Sequence, residues 1–232
     1  MTTNGYKYLT LNLAQSLKAA GVPWKLCIIC VDKDSATFLR GQGVDCIVYS
    51  EQIQAGQMAI SEFNSDSFHR ITRFKITIMN EFITNPLVKG LVFLDGDITV
   101  KKDFVPHLKD STEAGLLYFQ CDENSDAPCS CEDNCPNFCT GFIVYRKAED
   151  KSVEHPFTIN QSLWNTCRHD QDYLQQHIRN LGQPFKTLDR QLYPNGKMIK
   201  HALDPFIRHY NYRVGSSKKN AMKVRGDWFL PY

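Results

Sequence analysis

Hydrophobic residues recur at every fourth position near the start of the chain. Leu9, Leu13 and Leu17 would share one face of a helix, and Gly21 follows the last of them. A glycine just past the last periodic residue is typical of a helix C-terminus. The pattern therefore predicts an amphipathic helix, which the chain enters through a loop at residues 3–6.

Short apolar runs alternate with helical patterns through the first hundred residues. Residues 24–32 and 44–49 are rich in β-branched and aliphatic residues, as buried strands are. From 68 to 82 the apolar residues return to helical spacing, and Pro86 ends that helix. The apolar run 91–94 then predicts a further strand. Strand, helix and strand in this order indicate βαβ units.

The second half of the chain continues the alternation. Residues 115–121 and 139–146 read as strands, separated by a polar, cysteine-bearing loop at 122–137. A helix is predicted over 157–181, and the polar stretch 208–219 is predicted to be irregular. We expect an α/β fold with a Rossmann-like, mixed but mostly parallel sheet flanked by helices. In such folds ligands bind beyond the carboxyl ends of the strands.

The apolar run 91–94 leads directly into Asp95, Gly96 and Asp97. On a strand, side chains two apart point to the same face, and a glycine between them lets a ligand approach the backbone closely. Two adjacent carboxylates suit Mg2+ or Mn2+, and such an ion could hold a diphosphate. The alternative is a simple turn after a strand, because Asp-Gly is common turn chemistry.

Composition narrows the class of protein. The chain has 232 residues, 42% of them hydrophobic and 22% charged, which fits one globular domain spanning 1–232. A net charge of +2 argues against nucleic acid as a partner. The sequence contains neither a signal-peptide pattern nor an apolar run of membrane length. We therefore expect a cytoplasmic protein without a membrane span, or a Golgi-lumenal one if the sequence is an excised catalytic domain.

Eight of the nine cysteines fall into two groups. Three lie in apolar, strand-like runs and are predicted to be core residues, namely Cys27, Cys30 and Cys46. A second group clusters in the polar loop, where reduced or locally bridged thiols are the first interpretation and structural zinc the second. This second group contains Cys121, Cys129, Cys131, Cys135 and Cys139.

Short motifs also follow one another in a distinctive order. They are Thr3-Asn4-Gly5-Tyr6, Lys75, Leu94-Asp95-Gly96-Asp97, Thr140-Gly141-Phe142, Asp170-Gln171, and His209-x-Asn211-x-x-x-Gly215-x-x-Lys218-Lys219. This series resembles the nucleotide-diphospho-sugar transferases of the GT-A fold. The resemblance is strongest to the plant and algal-type family of α-xylosyl-, arabinosyl- and galactosyltransferases.

The resemblance implies roles for particular residues. Asp95, Asp97 and His209 would hold Mn2+ (or Mg2+) on the diphosphate of the donor. Asp170 and Gln171 would contact the donor sugar at the catalytic centre. The further residues that the resemblance assigns to donor binding are Thr3, Asn4, Tyr6, Lys75, Gly96, Gly141, Asn211, Gly215, Lys218 and Lys219.

The implied reaction moves a hexosyl or pentosyl unit from a nucleotide-diphosphate donor to an acceptor hydroxyl. The acceptor would be a glycan, a glycoprotein or another hydroxyl compound, and the family implies retention of the anomeric configuration. One departure from the family concerns the first strand, which is complete there but is represented here only by Met1 and Thr2. That strand is expected to be trimmed, replaced or absent.

Two other functions fit parts of the sequence. A haloacid-dehalogenase-like phosphatase would use Asp95 as nucleophile and Asp97 as acid/base, but its motif normally lies on the first strand, and here it lies well inside the chain. A zinc-stapled, non-catalytic interaction module would use the loop cysteines. Hydrolysis of p-nitrophenyl phosphate tests the first, and bound zinc tests the second.

Overall fold

A computed structural model of the chain describes residues 1–49, 66–123, 135–148 and 155–231. These residues form two compact units, each assembled from separate stretches of sequence. Unit 1 takes its described residues from 1–49, 95–106 and 191–231, and unit 2 from 66–94, 107–123, 135–148 and 155–190. A single domain over 1–232 stays a prediction.

Helices and strands alternate along the described residues. The helices are α1 (Lys7–Ala19), α2 (Lys33–Gly41), α3 (Asp66–Thr84), α4 (Val105–Ser111), α5 (Gln161–Trp164), α6 (Asp170–Leu181) and α7 (Ser216–Val224). The strands are β1 (Ile28–Cys30), β2 (Cys46–Val48), β3 (Gly90–Leu94), β4 (Ile98–Val100), β5 (Leu117–Cys121), β6 (Phe138–Arg146), β7 (Phe185–Leu188) and β8 (Ile207–His209). Among the described helices, none has the length and apolar character needed to span a bilayer.

Unit 1 contains two short two-stranded sheets. Strands β1 and β2 are parallel, and β4 and β8 are antiparallel. Thr2 forms an isolated parallel bridge to Cys30, donating its N–H to Ile29 O at 2.7 Å and accepting from Val31 N at 3.0 Å. Among the described residues, the segment ahead of Thr3 therefore forms one bridge beside β1.

Helix α1 confirms the helix predicted from the leucine spacing. Leu9, Leu11, Leu13 and Leu17 are all buried. Asp32 begins α2 as its N-cap, where its carboxylate accepts a hydrogen bond from the third residue of the helix. The acid that closes the first apolar run is therefore used as a helix cap.

Unit 2 is built on one four-stranded sheet with the strand order β3-β6-β5-β7. β6 is antiparallel to both of its neighbours, whereas β5 and β7 are parallel. Packed aromatic and aliphatic side chains from this sheet, α3 and α6 form the core; within it, Phe119 and Phe138 stack with their ring centroids 4.0 Å apart. The predicted α/β class with a mixed sheet is confirmed.

The helix predicted over 157–181 is divided into α5 and α6. Each helix has its own N-cap: Asn160 Oδ1 accepts from Leu163 N at 3.0 Å, and His169 Nδ1 accepts from Asp172 N at 3.3 Å. The second N-cap begins a new helix within one continuous apolar pattern. Hydrophobic periodicity alone does not show this break.

The prediction of an irregular segment over 208–219 is correct for residues 210–215 and wrong at both ends. Its first residues belong to β8 and its last to α7. Polar side chains hid both elements, because β8 has only three residues and α7 only nine. The predicted core position of Cys27 is also wrong, since this thiol is exposed, whereas Cys30 is buried.

Candidate active site

Asp95, Asp97 and His209 bring three metal-ligating side chains together in unit 1. One ligand atom from each residue lies within 4.8 Å of the other two. His209 Nε2 is 3.4 Å from Asp97 Oδ1 and 4.0 Å from Asp95 Oδ2. His209 and Asp97 are buried, whereas the Asp95 side chain is 36% exposed. The group is therefore accessible to a ligand from the side of Asp95.

The backbone assembles this group through a turn and a strand pair. Asp95 and Asp97 lie in a turn between β3 and β4, rather than on a continuing strand, and Ile98 N donates to Asp95 O at 3.1 Å. Ile98 on β4 faces His209 on β8, and Tyr210 N donates to Asp97 O at 3.2 Å. The β4–β8 pair thus carries His209 to the two aspartates from a distant part of the sequence.

Gly96 is required by packing against α1. A Cβ at this position would lie 2.7 Å from Thr10 Oγ1, closer than real contacts allow. Thr10 itself donates to Thr2 Oγ1 at 2.8 Å, so its hydroxyl is held in place. The structure therefore gives Gly96 a packing role, and its predicted proximity to the donor stays a prediction.

Lys218 pairs with Asp97 in a buried position. Lys218 Nζ lies 2.6 Å from Asp97 Oδ2, and both side chains are less than 10% exposed. Burial alone would raise the pKa of Asp97, but the Lys218 ammonium and His209 outweigh it and hold that pKa far below the usual range. Burial likewise disfavours the charged form of Lys218, yet Asp97 raises its pKa. Asp97 is therefore a carboxylate at neutral pH.

The residues predicted at the nucleotide end lie at the start of α1. The Tyr6 ring centroid is 5.6 Å from Lys218 Nζ, and Tyr6 is the N-cap of α1. Thr3 is buried, whereas Asn4 donates its backbone N–H to Asp32 Oδ2 at 2.7 Å. The structure thus connects Tyr6 to the metal-ligand group through Lys218, and the nucleotide contacts of Thr3 and Asn4 stay predictions.

The remaining residues of the C-terminal motif have different environments. Gly215 is the N-cap of α7 and has φ +53°, which glycine adopts without strain. Asn211 Oδ1 accepts from Gly196 N at 2.8 Å and so holds a turn. Lys219 is exposed, with its Nζ 4.9 Å from the Trp228 ring centroid. Of the two adjacent lysines, the structure places Lys218 at Asp97.

A second buried polar group occurs in unit 2. Lys75 Nζ lies 3.0 Å from Asp170 Oδ2, and Thr140 Oγ1 donates to the same oxygen at 2.6 Å. Burial would raise the pKa of Asp170, but Lys75 and Thr140 outweigh it and keep that pKa below the usual range. Gly141, beside Thr140, is buried on β6 and donates its N–H to Cys139 Sγ at 3.4 Å. Lys75 and Asp170, predicted separately, are therefore one ion pair.

Gln171 is oriented by two hydrogen-bond acceptors in unit 2. Its Nε2 donates to Asp122 Oδ2 at 3.2 Å and to Asn137 Oδ1 at 3.4 Å. A carboxylate only accepts hydrogen bonds, so the amide nitrogen of Gln171 must be the atom that faces Asp122. The carbonyl oxygen of the Gln171 side chain therefore points away from Asp122 and Asn137. Sequence reasoning missed Asp122 and Asn137, which no motif distinguishes from other polar loop residues.

Part of the cysteine cluster lies within the structure. Cys121 Sγ is 3.0 Å from Cys135 Sγ, and both residues are buried. Cys129 and Cys131 lie outside the described residues. Asp95, Asp97 and His209 are the only group with metal-ligand spacing among the described residues. The zinc interpretation gains no support from the residues that the structure describes.

Replacing Lys75 tests the buried pair in unit 2. We expect Lys75→Met to lower the free energy of unfolding by about 3–5 kcal/mol, because it leaves the Asp170 carboxylate buried without its cation. Since the folded pKa of Asp170 is depressed, the pair stabilises the parent above the unfolded pKa of about 3.9. That contribution is lost as pH falls below this value through the folded pKa, so the variant should lose less stability on acidification.

The exposed pair between Lys186 and Glu113, 3.0 Å apart, provides the control in the same unit. Lys186→Met should change stability by less than about 1 kcal/mol. Denaturant unfolding at pH 7 and pH 3 measures both effects. Equal losses in the two variants would contradict the assigned difference.

The adjacent lysines of α7 give a matched pair of variants. We expect Lys218→Met to weaken nucleotide-sugar binding by about tenfold to a hundredfold, as expected for the loss of a hydrogen bond to a charged group. Lys219→Met should bind like the parent, because Lys219 lies against Trp228. Calorimetric titration with Mn2+ present measures both; equal weakening in the two variants would contradict the donor role predicted for Lys218.

Comparisons with known proteins agree with this geometry. Residues 24–222 match the family model described as nucleotide-diphospho-sugar transferase. The fold resembles that of the galactosyltransferase LgtC, solved with donor and acceptor sugar analogs, at 14% identity, TM-score 0.58, and coverage of 100% of this chain and 95% of that chain. It also resembles mouse xyloside xylosyltransferase 1, at 13% identity, TM-score 0.54, and coverage of 89% and 92%.

A third similar structure is a glycosyltransferase involved in glycosylation of the major capsid of PBCV-1. It has 15% identity, TM-score 0.52, and coverage of 93% of both chains. A search of curated proteins gives no match. The structural matches show the GT-A fold and confirm the predicted fold class. Because the family model spans most of the sequence, the chain is a glycosyltransferase that belongs to the family of nucleotide-diphospho-sugar transferases.

Proposed function

We propose that this enzyme transfers a sugar from a nucleotide-diphosphate donor to an acceptor hydroxyl in a reaction that requires a divalent metal. The observation that carries the proposal is the convergence of Asp95, Asp97 and His209, whose ligand atoms lie within 4.8 Å of one another. Two carboxylate oxygens and an imidazole nitrogen this close together are a set of ligands that one divalent ion can bind in common. Lys218, 2.6 Å from Asp97 Oδ2, adds a positive charge at the same place.

The set of ligands favours Mn2+ over Mg2+. Carboxylate oxygens suit both Mg2+ and Mn2+, whereas an imidazole nitrogen favours the transition metal. When bound, the ion would neutralise charge on the leaving diphosphate. We therefore propose Mn2+ as the preferred ion, with Mg2+ as a weaker substitute.

The protein side chains would then bind and orient the donor. Asp95, Asp97 and His209 would hold the ion, and Lys218 would turn from Asp97 to a phosphate oxygen. Its ammonium would help to stabilise the charge that develops on the diphosphate as the glycosidic bond breaks. Tyr6 packs against this ammonium and helps to hold it at the site.

We further propose that the anomeric configuration is retained. This rests on the sequence resemblance, which also gives Asp170 and Gln171 the role of donor-sugar contacts. A buried, charged Asp170 would accept hydrogen bonds from sugar hydroxyls, and the Gln171 carbonyl oxygen is turned away from its two anchors. As no residue is assigned as nucleophile, we propose a front-face displacement assisted by the leaving diphosphate.

A panel of nucleotide sugars tests this function. The protein, stripped of metal with EDTA, is assayed for release of nucleoside diphosphate with Mn2+, Mg2+ or no metal, and the anomer of the product is read by NMR. We expect turnover only with metal, faster with Mn2+, and a product with the donor's anomeric configuration. Full activity without metal would refute metal dependence, and an inverted product would refute retention.

The alternative function, a phosphatase, predicts a different activity. It requires hydrolysis of p-nitrophenyl phosphate with Mg2+ and no need for a nucleotide. Family membership favours the transferase. The acceptor, proposed to be a carbohydrate or another hydroxyl compound, would be found by adding candidates to the same assay.

A further inference from the structure

We propose that Asp227 is a positioning residue for the metal ligand His209, an inference that rests on the proposed metal site. The Asp227 side chain is fully buried. Its carboxylate accepts from Lys101 Nζ at 2.6 Å, from Arg208 Nη1 at 3.1 Å, and from the Tyr210 hydroxyl at 2.5 Å. Two of these three donors are the immediate neighbours of His209 in sequence.

Through the geometry of the strand, these contacts of Asp227 fix the position of the His209 side chain. Tyr210 follows the last residue of β8 and continues its pairing, since its N–H donates to Asp97 O at 3.2 Å. Alternate side chains along such an extended segment point to opposite faces, so those of Arg208 and Tyr210 share the face opposite His209. Asp227 therefore holds one face of β8 while the imidazole is presented on the other. β8 has only three residues, and so few ladder hydrogen bonds fix its position against β4. The side-chain anchor supplies the constraint that so short a strand lacks.

Asp227 is itself held from two further elements. Its backbone N–H donates to Met222 O in α7 at 2.8 Å, and Asn12 Nδ2 in α1 donates to its carbonyl oxygen at 2.9 Å. Asn12 Oδ1 accepts from Phe229 N at 2.6 Å. Asp227 thus bonds to β8 and to Lys101, just past β4, through its carboxylate, and to the end of α7, the helix that carries Lys218, through its backbone N–H. This one residue connects the segments that carry Asp97, His209 and Lys218.

A purely structural network would stabilise the fold without affecting the metal ligands. The two roles separate in folded variants, because only positioning changes the affinity for metal. Tyr210→Phe is the mild variant, since it removes one hydroxyl while keeping the ring and both cations. Asp227→Asn is the stronger variant. Lys102, which follows β4, and Asp204, which precedes β8, form an exposed pair 2.5 Å apart. Asp204→Asn is therefore the control, because it removes a carboxylate near the same two strands.

The experiment titrates each metal-free protein with Mn2+ and follows the free ion by electron paramagnetic resonance. Removing a group that orients a metal ligand costs about 10–100-fold in metal affinity, so the Kd of Asp227→Asn should rise by about tenfold or more. Tyr210→Phe should show a smaller rise, and Asp204→Asn should match the parent. Hydrogen exchange adds a second readout, because the Tyr210 amide that bonds to Asp97 should exchange faster, while that of Tyr49 on the β1–β2 side should not.

Unchanged Mn2+ affinity and unchanged Tyr210 exchange in folded variants would overturn the proposal. If Asp227→Asn does not fold, Tyr210→Phe decides, because it leaves the carboxylate paired with Lys101 and Arg208. If the parent itself binds no Mn2+, the proposed function fails and exchange alone decides. Faster exchange at Tyr210 then supports the positioning of β8 by Asp227, and unchanged exchange refutes it.

Discussion

Asp97→Asn is expected to lower the rate of sugar transfer by about a thousandfold or more and to remove Mn2+-dependent nucleotide binding. Asp97 lies at the centre of the site, with His209 on one carboxylate oxygen and Lys218 on the other. An amide cannot replace the anionic ligand, and charge stabilisation of this kind contributes several kcal/mol, which corresponds to a factor of about a thousand.

The measurement is the initial rate at saturating donor, with circular dichroism to establish that the variant is folded. Asp204→Asn is the control, because this exposed aspartate has the same chemistry away from the site. A folded Asp97→Asn enzyme that transfers sugar at the parent rate would remove Asp97 from the reaction.

His209→Ala should have the second largest effect. We expect its Kd for Mn2+ to rise by about 10–100-fold and its preference for Mn2+ over Mg2+ to shrink, because the imidazole nitrogen is the ligand that favours Mn2+. Turnover should fall with metal affinity. Calorimetric titration with each ion measures both quantities.

His201→Ala is the matched control, since His201 is exposed in the same unit. It should leave both affinities unchanged. A parent-like Mn2+ affinity and selectivity in His209→Ala would show that the third ligand lies elsewhere.

The Asp-Gly-Asp motif could be predicted because its signal is local. An apolar run that ends in two acids separated by glycine is legible within ten residues. The packing that requires glycine at position 96 could not be predicted from the sequence, because it depends on contact with Thr10 from α1. Likewise, Asp227 carries no motif, and its partners Lys101 and Arg208 come from distant segments.

The C-terminal segment shows where pattern reading fails. A three-residue strand is too short to display a period of two, and polar residues on α7 conceal its buried side. With the segment interpreted as irregular, nothing in the sequence favoured Lys218 over Lys219 as the residue at the site. A helix separates consecutive residues by about 100° around its axis, which places only Lys218 toward Asp97.

The Asp170 region shows a different case, in which the structure corrects the predicted helix and the motif lies at the start of its second part. The apolar period ran through residues 157–181 and predicted one helix, but two caps divide it. Asp170 became the first residue of α6, which brings it to Lys75. The pairing of two predicted donor residues with each other could not be read from sequence, since they lie on different helices.

The most direct test of the metal site is anomalous diffraction from a crystal soaked with MnCl2 and a nucleoside diphosphate. Data collected at the manganese absorption edge locate the ion independently of activity. The proposed site predicts one strong anomalous peak ligated by Asp95, Asp97 and His209, with diphosphate oxygens completing its shell, and no such peak in Asp97→Asn. A saturating soak that leaves these three side chains without a peak, or that places manganese on other residues, would contradict it.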